Sequence, residues 1–127
     1  MKAQEKATMS IETTSGKLQE FFSLPTTRFR FLNRLMIEKK NEWDGRAFCD
    51  VELLLSENAS PESRRLRLKF LRSVEIQVGD LNGTEGWLIA IRNIADRGLE
   101  NITYRVVEEE GNSISLNCQD FEYEVLE

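Results

Sequence analysis

Apolar and charged residues alternate one for one over long stretches of this chain. Cys49, Val51, Leu53 and Leu55 are separated by Asp50, Glu52, Leu54 and Ser56, and Leu66, Leu68 and Phe70 by Arg65, Arg67 and Lys69. Successive side chains of an extended strand point to opposite faces, so this period predicts strands with one greasy and one ionic side. The same period locates its own interruptions. Val74, Ile76 and Val78 keep the parity of Leu66, but Arg72 shares it and would point inward, so a break is expected at Leu71–Ser73. Ile114, Leu116 and Cys118 lie on even positions and Phe121, Tyr123 and Val125 on odd ones. A one-residue slip around Gln119-Asp120 keeps both sets inside.

Three more segments complete the pattern. Trp87–Ile91 is apolar on both parities, which predicts a strand covered on both faces. Ile102, Tyr104 and Val106 alternate up to the acidic turn Glu108-Glu109-Glu110-Gly111-Asn112. Over residues 28–38, Phe29, Phe31, Leu35 and Ile37 share a parity that Asn33 interrupts, and a helix through Leu32, Leu35 and Met36 competes with strand. Trp43-Asp44-Gly45 supplies a hairpin turn, since glycine takes up positive φ freely. Before Pro25, Leu18, Phe21 and Phe22 make one helical face with Ser15 placed to cap it, and residues 1–16 read as a mobile tail. The expectation is a mainly β protein. One domain over 17–127 holds six to seven antiparallel strands, meandering into a sandwich or curled half-barrel, with one short N-terminal helix.

The residue inventory then narrows the chemistry. The 127 residues contain no histidine, which removes Ser-His-Asp and Cys-His catalysis and the commonest metal ligand. Cys49 and Cys118 have no neighbouring cysteine and read as buried thiols of a reducing compartment. Asp80-x-Asn82-x-Thr84 resembles the start of a calcium loop but has Glu85 where that loop needs glycine. With no Gly-rich phosphate loop either, no cofactor and no metal are expected. The N-terminus lacks the apolar core of a secretion signal and no stretch reaches membrane-span length, so the chain reads as cytoplasmic, with the sequons at Asn58, Asn82 and Asn101 serving as turns.

Charge is unevenly spread. Residues 28–72 sum to +4 and residues 73–127 to −9 within a net −5. The basic run Arg64–Arg72 alternates with core positions, so its cations are expected opposite Asp50, Glu52, Glu122 and Glu124 on neighbouring strands rather than on phosphates. Aromatics and cations take opposite faces, which argues against base stacking and nucleic acid. The acidic set Glu108, Glu109, Glu110, Asp120, Glu122 and Glu124 is the candidate partner-binding surface.

From Phe48 onward the cadence Val51–Leu55, Leu66–Phe70, Val74–Val78, Trp87–Ile91 and Ser113–Cys118 with Asp120-Phe121-Glu122 resembles small β-rich uncharacterised bacterial proteins, among them predicted immunity proteins of polymorphic toxin systems. The resemblance covers roughly two-thirds of the chain and carries no diagnostic motif. It implies a non-catalytic cytoplasmic binder. The leading expectation is therefore a protein-binding module whose acidic C-terminal half docks a basic protein. The alternative is a ligand carrier or enzyme with a pocket between sheets lined by Trp87, Tyr104 or Tyr123.

Overall fold

A computed structural model describes residues 17–23, 28–41, 44–60, 62–82, 86–99 and 101–127. The expectations for the tail at 1–16, the Ser15 cap, Pro25, Trp43 and the Thr84-Glu85 pair fall outside them. Among the described residues, seven strands form one antiparallel, unclosed sheet: β1 (Phe31–Asn41), β2 (Ala47–Ser56), β3 (Arg65–Val78), β4 (Ile89–Asn93), β5 (Tyr104–Glu108), β6 (Ile114–Cys118) and β7 (Asp120–Leu126). Residues 17–22 form helix α1. The order is β1-β2-β3-β6-β5-β4, with β7 also on β3. A simple meander holds within β1-β2-β3 and within β4-β5-β6. It fails at β3–β4, where the chain crosses to the far edge before working back.

Strand β3 is shared by two half-sheets. Its first half, Arg65–Leu71, pairs with β2 and β7, and Val74–Val78 pairs with β6. The two expected irregularities meet here. Arg72 and Glu75 both take φ of 54°, and opposite them Gln119 separates β6 from β7 and donates its N–H to the Leu71 carbonyl at 3.1 Å. Asp50 holds the kink by accepting the Arg72 N–H at 3.1 Å, and the Arg72 guanidinium lies 4.3 Å from the Phe48 ring centre. The pleat is thus reset and Arg72 stays outside. At the other end the halves touch through the segments preceding β1 and β4, where Trp87 N–H donates to the Arg30 carbonyl at 2.9 Å.

Between the halves lies the core. Val51, Leu53, Leu55, Leu66, Leu68, Phe70 and Phe121 come from one half, and Ile91, Tyr104, Val106, Ile114, Leu116 and Cys118 from the other. Helix α1 caps it with Phe21, edge-on to Phe121 at 5.7 Å and to Tyr123 at 5.3 Å. Lys17 reaches Asp120 at 2.6 Å, and the Tyr123 hydroxyl donates to Glu20 at 2.5 Å. Burial together with that bond pushes the Tyr123 phenol up to about 12. Burial likewise raises the Cys118 thiol to about 12, so it packs as an unreactive hydrophobe; both cysteines are free, with Cys49 only half-buried.

Two expectations at the edges need correction. Residues 31–41 are strand, but a register shift between Leu32 and Arg34 moves Leu32 onto the core face and leaves Phe31 44% exposed. Strand β4 begins only at Ile89 and sits at the sheet edge, while Trp87 reaches the core from the preceding loop. The sequons lie in turns: Asn58 Oδ1 accepts the Ser60 N–H, Asn82 N–H donates to Asp80, and Asn101 has φ of 59°.

Between β1 and β2, Gly45 has φ of 88° with open space where a Cβ would stand. Gly45→Ala should therefore cost about 1 kcal/mol from backbone strain alone, read as a lower urea midpoint at unchanged slope.

Candidate functional site

The outward face of β2, β3 and β7 is built from the charged half of each alternation. Directly opposed residues share a face, so the register places Glu52, Lys69 and Glu122 in one row and Leu54, Arg67 and Glu124 in the next. Strand β1 extends both rows with Met36 and Arg34. Arg67 pairs with Glu124, Arg34 pairs with Glu52 at 2.9 Å, and Lys40 approaches Asp50 at 3.3 Å. Within the basic run, Arg67 and Lys69 thus face the expected acids Glu52, Glu122 and Glu124, whereas Arg64 pairs with Glu57 at 3.7 Å. Glu52, Arg67, Lys69, Glu122, Tyr123 and Glu124 line a cleft of about 420 Å³. Cationic β3 runs along its floor with acids on both flanks. Such a surface can bind a protein by exchanging internal ion pairs for intermolecular ones, at little cost because exposed pairs are worth about 0–1 kcal/mol each.

The six acids singled out from the sequence do not form one patch. Asp120, Glu122 and Glu124 lie along β7, with Asp120 turned to Lys17 of α1. Glu109 and Glu110 occupy the turn after β5 and face Arg92 at 3.7 Å and Arg30 at 3.4 Å. Strand β6 separates the two groups.

Glu108 has a different role. It is fully buried, and its carboxylate accepts the N–H groups of Leu88, Glu110, Gly111 and Ser113 at 2.8–3.2 Å. Burial pushes its pKa up, but the four donors outweigh burial and hold it below the ordinary glutamate value. It ties the β5–β6 turn to the loop segment before β4 and presents no charge to a partner. Parity carried this signal: Tyr104, Val106 and Glu108 share one face, so Glu108 had to point inward and find donors there.

The aromatics named for a pocket between sheets are engaged with protein. Trp87 and Tyr104 belong to the core, and Tyr104 packs edge-on against Phe121 at 4.9 Å. Among the described residues no cluster of three or more acids or cysteines is placed to hold a metal ion, and no helix is long and apolar enough to cross a membrane. Arg34 and Met36 alternate with Leu35 and Ile37, and the pairing of β1 with β2 adds both to the outer face beside the acids singled out from the sequence.

Residues 13–124 match a family model described as Immunity protein PIM8. No curated protein and no solved structure matches the chain.

Proposed function

The chain belongs to the PIM8 immunity protein family, and we propose that it acts in the cytoplasm as a non-catalytic, stoichiometric binder that neutralises a toxin. Docking runs through the ionic outer face, where Glu122 and Glu124 meet a basic surface of the toxin and Glu109 and Glu110 add attraction from the β5–β6 turn. The observation that carries this reading is the charged cleft of about 420 Å³, whose β7 wall is acidic and open to solvent. The −9 charge of residues 73–127 supports it, because a field of one sign accelerates encounter and fixes orientation.

The test pairs the chain with any toxin whose gene adjoins its own and measures association kinetics and protection of growth. Glu122→Lys/Glu124→Lys should slow association by about tenfold or more and flatten its salt dependence, with dissociation less affected. Glu109→Lys/Glu110→Lys should do the same more weakly. Protection and on-rates unchanged in both variants would remove the acidic docking surface, and a chain that binds no such toxin would remove the reading itself.

A further inference from the structure

Strand β1 ends the sheet. Among the described strands it pairs with β2 alone, and it is eleven residues long with nine of them exposed. Met36 is 46% and Ile37 43% exposed. A long open edge offers a row of backbone donors and acceptors to any chain that can lie beside it, and proteins protect such edges with bulges and lysines. Here the protection sits at the ends. The register shift distorts the strand between Leu32 and Arg34, and Lys39 and Lys40 follow Glu38. Arg34–Glu38 is left as an unguarded window.

That window is complementary to itself. We propose that β1 pairs antiparallel with β1 of a second copy of this chain, about a two-fold axis through Met36. Each Arg34 then stands opposite the partner's Glu38, each Leu35 opposite the partner's Ile37, and the two Met36 side chains meet on the axis. The faces agree with this. Met36 and Glu38 share the outer side with Glu52 and Asp50, whereas Leu35 and Ile37 share the core side with Leu53 and Val51. A shift of the axis to Ile37 sets Arg34 against Lys40 and Leu35 against Lys39. A shift to Leu35 sets Leu32 against Glu38. Charge and hydropathy therefore select one register of the three. The interface is isologous and closes, since each copy uses up its only β1 edge.

Sedimentation of the full chain over a range of micromolar concentrations should show a species of twice the chain's mass. Met36→Lys, which places two cations on the axis at an exposed site, should abolish it. Glu38→Arg should abolish it too, and Arg34→Glu/Glu38→Arg should restore it, with circular dichroism confirming the fold of each. In a Cys49→Ser background, Met36→Cys should oxidise to a covalent dimer, because directly opposed antiparallel residues have Cα atoms about 4.5–5.5 Å apart, inside the disulfide range. Ile37→Cys, whose own counterpart lies two positions along, should cross-link far less. A wild-type chain that stays monomeric throughout, a dimer indifferent to Met36→Lys, or equal cross-linking at 36 and 37 would each overturn the proposal. A toxin strand that occupies β1 instead would appear as the first of these outcomes.

Discussion

Phe121→Ala should lower the stability of the fold by about 4 kcal/mol, the largest loss expected from any single substitution considered for this chain. Phe121 is fully buried and touches three aromatic rings: Phe21 of α1, Tyr104 of β5 and its neighbour Tyr123. The Lys17 ammonium lies 5.0 Å from its ring centre. Truncation removes apolar burial and leaves a void that residues from both half-sheets cannot fill without giving up their own contacts. It also takes away the platform on which α1 sits. The Tyr123 hydroxyl then loses Glu20, and its pKa should fall from about 12 towards the ordinary tyrosine value. Urea unfolding measures the first effect and alkaline absorbance titration the second. Phe22→Ala is the control, since Phe22 is 49% exposed; equal losses in the two variants would show that α1 and Phe121 are not a single packing unit.

Glu108→Gln should cost about 3 kcal/mol. The carboxylate has two oxygens for four backbone donors, whereas an amide has one oxygen and turns an NH2 towards N–H groups that then lie buried without an acceptor. The effect depends on pH in a definite sense. The folded pKa lies below the unfolded one, so the stabilisation is fully present above about pH 4.5 and is lost as pH falls through the folded value. The gap between wild type and variant should accordingly be widest near neutrality and shrink in acid. Urea midpoints at pH 7 and below pH 4 measure it, and a gap that grows in acid would contradict the geometry.

Particular residues show how much of this could be read beforehand. The kink at Arg72 and the slip at Gln119 were legible because a pleat admits one parity per face, and each violated it. What the pattern could not show is that these two irregularities lie against one another. That depends on which strands become neighbours, and the crossing from β3 to β4 is a non-local choice that periodicity does not encode. Phe31 was misplaced for a related reason: a bulge at Asn33 reverses parity without changing composition. At the candidate site, the pairing of the basic run with acids followed from alternation and charge. Glu108 did not, because a glutamate followed by Glu-Glu-Gly has the composition of a solvated turn and only its parity says otherwise.

The division of β3 has a further consequence. The two ladders use separate stretches of one continuous strand, but both half-sheets bury a single core, so neither keeps its apolar face covered once the other has frayed. Melting is then a single cooperative event spread across both halves. Whatever clamps the outer surface of one half also slows the opening of the opposite one, so a ligand's grip is distributed over the entire fold.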